Sequence, residues 1–464
     1  MATRERPVQG AIVLAAGTGR RFWPYSVVRQ KAAFPIANVP AVRRIVESLA
    51  SLGISRIAVV VGEGEPSVRA ALRGTSAQIV YVSQPHPEGT AAAASLGARV
   101  LDGDVMVVAG DVVTSRDNLS ALLVRYAQER PLAAALIQPL GDELPQSWTT
   151  AFHDGERLVG VEGHGREGTH RLCAAYVLNR AALEYLVDNP GIMTRVPVGG
   201  MPPREAEIAQ SLQMMIDEGQ SVLAVEAVGY HVDMDKPWHI LEATHLVIAE
   251  QSAALQGNVI PASAQIHDGA EIGGRVVLGD GTVIGNRVVT RGDVWLAPGA
   301  HLENGAMLLG PVVVGPGTTV RDYSQIGGYS TLGARGVYGH GAEFSGVALD
   351  TVYCYHYCEV WGVVGQAADL GAATVCGNLR FDDSDTAWKV QGRVEVPPHA
   401  ANAAYLGDFC RTGVNAILMP GRRVGVYACV GPGVVVYEDI PDRQLVLLKQ
   451  ELQTRSWGPE RYGW

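Results

Sequence analysis

The pattern of apolar and polar residues changes once along the chain, near residue 235. Before that point, short β-branched runs alternate with helical stretches, which is typical of a parallel sheet covered by helices. Strands are predicted at 11–16, 56–62, 78–83 and 104–111, and helices at 40–52, 66–73 and 90–101. Ligands bind such sheets at the carboxyl ends of the strands. We therefore expect an α/β domain over 1–235 with its site at that edge.

A six-residue period begins at Ile260. Every sixth residue from Ile260 to Tyr338 is apolar except Thr290, and from Ile266 on the residue two positions before each one is small or β-branched. The period returns at 364–370 and again over 406–436. One large and one small inward residue per hexad describe a short strand plus a turn, stacked as a β-helix. An antiparallel sandwich would instead show a period of two.

These periods divide the chain into four segments. Residues 1–235 form the α/β domain, and 236–257, with apolar residues at helical spacing, form a connecting helix. The hexads fill 258–440. The run RQLVLLKQEL predicts a helix in the tail, 441–464.

Charge and composition restrict the partners. The chain has 37 basic and 47 acidic residues, a net charge of −10, so no overall positive field attracts a nucleic acid polymer or an anionic membrane. No apolar run approaches the ~18–20 residues of a membrane span, and the start of the chain lacks the pattern of a signal peptide. We expect a cytoplasmic protein whose six cysteines are reduced.

The first predicted strand leads into a glycine loop. Gly17 and Gly19 let backbone N–H groups approach phosphate oxygens, and Arg21 and Lys31 follow them. A glycine turn with fixed cations suits a triphosphate, whose leaving group gains charge during transfer.

This stretch resembles the sugar-phosphate nucleotidyltransferases, which open with LAAGxGTRxxP and a later Pro-Lys pair. Arg20 replaces the usual threonine and Gln30 the usual proline; the matching residues are Leu14, Ala15, Ala16, Gly17, Gly19, Arg21, Pro24 and Lys31. The resemblance implies a Rossmann-like nucleotidyltransferase domain. In it Leu14, Ala15, Gly17 and Gly19 would bind the nucleotide, and Arg21 and Lys31 would be catalytic.

The resemblance continues to residue 245 and implies the reaction. Gln84, Gly89 and Thr90 match the element that reads uracil or thymine, which favours UTP or dTTP. Asp111 and Asp233 match the two carboxylates that hold Mg²⁺. An NTP and a sugar 1-phosphate or related compound would give an NDP-sugar and pyrophosphate. Attack on the α-phosphorus needs alignment and shielding of the anions rather than a covalent protein intermediate.

The residues expected to bind the sugar phosphate differ from those usual in the family. Glu162 is kept and, with His164, is expected to bind the substrate, but Gly163 stands where a phosphate-binding lysine is usual. Leu172-Cys173-Ala174 replaces the usual Asn-Thr/Ala-Gly, so the sugar stays unidentified. The candidates for the missing cation are His164, Arg166 and Arg171.

The hexads resemble the left-handed parallel β-helix of bifunctional sugar-1-phosphate nucleotidyltransferase/acetyltransferases of the archaeal type, mainly at 376–383 and 407–436. The flat faces of a solenoid expose apolar strand surface that a monomer would leave in water, which favours a homotrimer. The resemblance also implies acetyl-CoA or another acyl-CoA as a second cofactor if the site is retained. His356 matches the catalytic base and Asn378 the acceptor site. Asp383 and Asp385, however, stand among residues that replace lysines facing a phosphate, so we expect this acyltransferase site to be altered or lost.

Two alternatives remain open. CYHYC at 354–358 also fits Cys-x-His-x-Cys metal ligation, although three ligands in one strand do not close a zinc site without a fourth, and an aromatic solenoid loop is the favoured interpretation. The whole chain could also be a catalytically reduced ligand-sensing or assembly subunit of the same ancestry. Retention of Arg21, Lys31, Asp111 and Asp233 together argues against that.

Overall fold

The computed structural model describes residues 8–196 and 204–461. The first seven residues, on which part of the signal-peptide expectation rests, lie outside these ranges. No helix within the described ranges is both long and apolar enough to cross a membrane.

The N-terminal domain is built on a nine-stranded sheet. Its helices are Ala41–Ser51, Glu65–Ala71, Thr90–Ala98, Arg116–Glu129, Glu184–Val187 and Ile208–Asp217. In spatial order the main strands are Leu158–Gly163, Thr149–His153, His170–Leu178, Asp104–Ala109, Val8–Ala15, Arg56–Val61 and Gln78–Ser83. Ala133–Pro139 pairs with both His170–Leu178 and Val222–Glu226. Apolar clusters cover both faces, which is why these strands are continuous β-branched runs.

The sheet is mixed rather than purely parallel. The four strands from Asp104–Ala109 to Gln78–Ser83 are parallel, whereas His170–Leu178 runs antiparallel to its neighbours. Thr149–His153 and Leu158–Gly163 pair antiparallel across a short turn, without a crossover helix. Two small antiparallel ribbons, Pro35–Ile36 with Val39–Pro40 and Val112–Thr114 with His231–Asp233, complete the domain.

The helix His239–Ala254 leads into the β-helix. Val276 pairs in parallel with Val294, and Val294 with Val312, so each of these coils advances 18 residues, or three hexads. The coils from Thr331 to Val347 and from Val347 to Val363 advance 16 residues. The strands of three or more residues are Val276–Leu278, Val294–Leu296, Val312–Val314, Ser330–Leu332, Glu343–Ala348, Glu359–Val364 and Ala404–Leu406. Two-residue strands, from Gln265–Ile266 to Leu445–Val446, form the remaining sides. From Leu278 on, the sixth-position residues fill one continuous core, whereas Ile260 and Ile266 of the first coil are exposed. The α/β domain plus left-handed β-helix predicted from the sequence is confirmed.

An insertion interrupts the solenoid where its period fails. Gly362 pairs with Ala404, so the coil between them carries extra residues, which include the hairpin Trp388–Val390 and Arg393–Glu395. Beyond it the hexads resume.

The helix predicted in the tail, 441–464, is wrong. Leu445–Val446 is a strand that pairs with Cys429–Val430, and a 3-10 turn at Pro459–Arg461 follows. The last coil exposes unpaired backbone groups at its edge, and pairing with them outweighs the helical propensity of this run.

The two halves share a core. One buried cluster contains residues of the glycine-loop segment, of the segment that leads into helix His239–Ala254 and of the solenoid, among them Phe22, Tyr25, Trp238, Val363 and Tyr405. The Tyr25 hydroxyl donates to the Val363 carbonyl at 2.7 Å. The β-helix is therefore packed directly beneath the loop that carries Arg21 and Lys31.

Candidate active site

The glycine loop follows strand Val8–Ala15, which carries Leu14 and Ala15. Gly19 has φ +61°, and a Cβ there would lie 3.3 Å from the Lys31 Cβ, so both conformation and space favour glycine. The Gly110 amide donates to the Leu14 carbonyl at 2.7 Å. The loop and the end of strand Asp104–Ala109 are thereby joined.

Gln30 orients the lysine. Its amide nitrogen donates to the Gly17 carbonyl at 2.9 Å, and its amide oxygen accepts from the Ala32 backbone amide. This residue replaces the usual proline, and it caps the 3-10 turn Lys31–Ala33. Sequence comparison marked it only as a departure; the structure gives it a positioning role.

The Lys31 ammonium group lies close to both predicted metal ligands. Its Nζ lies 2.6 Å from Asp111 Oδ2 and 3.9 Å from Asp233 Oδ1. Asp233 pairs with Val112 in the small ribbon, and the Met234 amide donates to the Asp111 carbonyl at 3.2 Å. Residues distant in the sequence are thus held at one edge of the sheet, as predicted.

The local electrostatics favour an added cation. Burial raises the pKa of Asp233 to about 6; Lys31 opposes this shift, and the charges of Asp111 and Asp235 add to it. Burial alone would lower the pKa of Lys31, but Asp111, Asp233 and Asp235 outweigh it and raise the value. Three carboxylates therefore surround one lysine, and Asp111 and Asp233 offer the oxygen ligands that Mg²⁺ takes together with phosphates and water. In the described part of the chain, no set of three potential ligands is arranged as a closed metal site.

Asp235 is a site residue that sequence reasoning missed. It lies two residues after Asp233, and its Oδ1 is 2.9 Å from Arg21 Nη2. Burial would raise the pKa of Asp235, but Lys31, Arg21 and Lys236 outweigh burial and lower it. Arg21 is therefore held by a buried carboxylate. The only sequence signal was that 229–235 resembles the family motif G-Y-x-x-D-I-G, in which Asp235 stands at the final glycine.

The predicted base-reading element lies beside the segment 204–207. Gln84 is buried, with its amide nitrogen 3.5 Å from the Gly89 carbonyl. Gly89 has φ +104°, and a Cβ there would lie 2.4 Å from the Ala206 carbonyl oxygen. The Thr90 hydroxyl donates to Glu207 at 2.6 Å. A cavity of about 570 Å³ adjoins this element, lined by residues that include Glu88, Ala92, Ile192 and Arg204.

On the sugar side, Glu162 lies on strand Leu158–Gly163. His164 follows with φ +53°, and its Nδ1 is 3.0 Å from the Gln146 carbonyl. Burial lowers the pKa of His164; the Gln146 carbonyl opposes this, and the cations Arg21 and Arg393 lower it further. His164 therefore lies near the cations Arg21 and Arg393 and near the Asp235 carboxylate, which opposes their effect.

Arg171 forms part of the floor of the domain. Its guanidinium stacks 3.9 Å from the centre of the Trp148 ring, and its Nε is 3.4 Å from Glu143 Oε2. Only 4% of the residue is exposed. Arg171 is therefore buried against Trp148, whereas Arg166 is exposed.

The predicted acyltransferase residues are exposed. His356 lies at a solenoid corner, with its ring 5.6 Å from Tyr357, and its carbonyl accepts from the Ala373 amide of the next coil at 3.1 Å. Asn378 follows on that coil, and no hydrogen bond joins the two residues in the described structure. Arg380 is paired with Asp382 at 2.9 Å rather than free. Cys354 and Cys358 are buried, and burial raises the pKa of both thiols.

Comparison with known proteins agrees with this geometry. Residues 10–159 match the nucleotidyl transferase family. The chain is 25% identical over 464 residues to a bifunctional protein GlmU of Methanococcus vannielii, covering 95% of this chain and 98% of that one. It is 25% identical over 434 residues to a bifunctional sugar-1-phosphate nucleotidylyltransferase/acetyltransferase of Sulfurisphaera tokodaii, covering 93% and 98%. Residues 10–159 therefore resemble the nucleotidyl transferase family, and the predicted resemblance to the bifunctional enzymes is confirmed over nearly the whole chain.

Proposed function

We propose that the N-terminal domain transfers a nucleotidyl group from an NTP to a sugar 1-phosphate or a related phosphorylated compound and releases pyrophosphate. The observation that carries the proposal is the convergence of Lys31, Asp111 and Asp233 beside the glycine loop. UTP and dTTP are the proposed donors, because Gln84 and Gly89 lie together at the predicted base element.

The chain's own residues supply alignment and charge. An oxygen of the acceptor phosphate attacks the α-phosphorus, a new P–O bond forms, and the bond to the leaving pyrophosphate breaks. Amides of the loop containing Gly17 and Gly19 approach the triphosphate, while Arg21 and Lys31 face the charge that grows on the leaving group. Mg²⁺ held by Asp111 and Asp233 would shield the phosphates from each other.

For the β-helix we propose trimerisation and an altered or lost acyltransferase site. Apolar residues remain exposed on the solenoid, among them Val414, Tyr437, Leu445 and Leu447, and a monomer would leave them in water. Nucleotide substrates and six free cysteines support a cytoplasmic location.

The decisive experiment measures pyrophosphate release from a panel of NTPs and sugar 1-phosphates with Mg²⁺. Asp111→Asn and Asp233→Asn should abolish Mg²⁺-dependent turnover and leave the fold intact. Asp102→Asn is the matched control, because that side chain is almost fully exposed and precedes strand Asp104–Ala109, whereas Asp111 follows the strand at its other end. Near-normal rates in both site variants would contradict the proposal. Ligand binding without turnover in the wild-type protein would instead support the sensing-subunit alternative.

A further inference from the structure

The solenoid insertion brings a hairpin against the N-terminal domain. The hairpin consists of Trp388–Val390 and Arg393–Glu395. The Trp388 ring packs edge-on against Trp238 at 5.2 Å, and its indole nitrogen donates to the Ala401 carbonyl at 3.0 Å. Trp388 is 2% exposed, so the base of the hairpin is fixed in the core between the two halves.

A series of ion pairs connects this hairpin to the glycine loop. Glu395 forms an ion pair with Lys236, whose Nζ lies 3.9 Å from Asp235 Oδ2. Asp235 in turn pairs with Arg21 at 2.9 Å. The face of the hairpin that carries Glu395 therefore looks toward the site.

Arg393 lies on that same face. Alternate residues of a strand share a face, so Arg393 accompanies Glu395, one pleat nearer the hairpin turn, while Lys389, paired with Val394, lies on the other face. Arg393 is exposed and has no ion pair within the described residues. The electrostatic effect of both Arg21 and Arg393 on His164 agrees with this placement.

Three of the other cations near the site are already engaged. Lys31 is paired with Asp111, Arg21 with Asp235, and Arg171 is stacked on Trp148. Gly163 carries no side chain. An incoming phosphate dianion must nevertheless lie beside an α-phosphate, which requires a cation that its neighbours have not neutralised.

We propose that Arg393, supplied by the β-helix domain, binds the phosphate of the acceptor in the N-terminal site. The proposal rests on the proposed nucleotidyl transfer. A guanidinium can bind two phosphate oxygens at once, which would also orient the attacking oxygen. The acceptor site would then be composite, and its cation would come from about 230 residues further along the chain than His164.

The test is steady-state kinetics on the full chain with the NTP and hexose 1-phosphate that the wild-type protein uses best. Arg393→Ala should raise the KM for the hexose 1-phosphate at least about tenfold and leave the KM for the NTP within about twofold. Arg393→Lys should restore part of the loss. Lys389→Ala, which removes a cation from the opposite face of the same hairpin, should change neither value.

The outcomes separate the two proposals. If the wild-type protein is active and Arg393→Ala leaves the KM for the acceptor unchanged, Arg393 does not bind the acceptor, but nucleotidyl transfer still stands. The same holds if Arg393→Ala raises only the KM for the NTP. A wild-type protein inactive with every pair overturns both. An NMR titration of His164 reports the geometry without turnover, because Arg393→Ala should raise its pKa and Lys389→Ala should not. An unchanged His164 pKa in Arg393→Ala would place Arg393 away from the site.

Discussion

Arg29 and Asp408 form a two-point ion pair between the N-terminal domain and the β-helix, with nitrogen–oxygen distances of 2.9 and 2.5 Å. The Asp408 side chain is fully buried and that of Arg29 is 11% exposed. The Asp408 carboxylate also accepts a hydrogen bond from the backbone N–H of Gln366 at 2.7 Å. Arg29 lies two residues before Lys31, so the solenoid holds the segment that presents the proposed catalytic cations.

Breaking this pair should destabilise the protein. Arg29→Ala leaves the buried Asp408 carboxylate without its counter-ion, and such losses cost about 3–5 kcal/mol. We expect the free energy of unfolding in urea to fall by that amount. Arg125→Ala, which removes a surface pair with Glu129 on one helix, should cost no more than about 0.5 kcal/mol. Equal stability of the two variants would show that the domains do not depend on this contact.

Asp233→Asn should have opposite effects on stability and on activity. The pKa of Asp233 is raised to about 6, mainly by burial, so its charged form disfavours the native state. The stability associated with this group is full below about pH 4 and is lost as pH rises through 6. At pH 7 without metal, the variant should therefore be more stable than the wild-type protein, by roughly 1–2 kcal/mol after solvent screening.

The measurement is the free energy of unfolding of both proteins in EDTA at pH 4 and pH 7. The gain should vanish at pH 4, where the wild-type carboxyl is itself protonated in the native state. An Asp233→Asn protein that is less stable at pH 7 would mean that the attraction of Lys31 outweighs burial at this position.

The full chain should be a homotrimer. Light scattering at micromolar concentration is expected to give three times the 49.2 kDa of one chain. Exposed apolar side chains on the solenoid supply the driving force, and Tyr437→Glu together with Leu447→Glu should shift the protein toward monomers. A wild-type monomer under these conditions would contradict the proposal.

The β-helix should not acetylate glucosamine 1-phosphate efficiently. Asp383 and Asp385 stand where cations would face the acceptor phosphate, and Arg380 is paired with Asp382. A like charge near 4 Å costs on the order of 1–4 kcal/mol, enough to weaken binding tenfold or more. CoA release from acetyl-CoA is the assay. Rapid release that disappears in His356→Ala would show that the site survives these substitutions.

Much of the architecture follows from local patterns. The hexads place Leu308 and Leu332 in the solenoid core because one inward position per six residues is a property of each coil alone. The glycine loop and Asp111 each follow a predicted strand, and Asp233 follows them in the order of the family motifs. We therefore predicted that they lie close together, because the carboxyl ends of neighbouring strands share an edge of the sheet. The tail helix was mispredicted because Leu445 pairs with Cys429, and an open solenoid edge is invisible in a local window.

The sequence by itself therefore determined the two fold types, the glycine loop and the residues that gather beside it. Tertiary structure alone decided that Asp235 holds Arg21, that Asp408 holds Arg29, and that the hairpin bearing Arg393 reaches the N-terminal site. The physical reason is the range of the interactions. Periodicity and turn chemistry act over a few residues, whereas the Arg29–Asp408 pair joins residues 379 positions apart, and only the packing of one domain on the other brings them together.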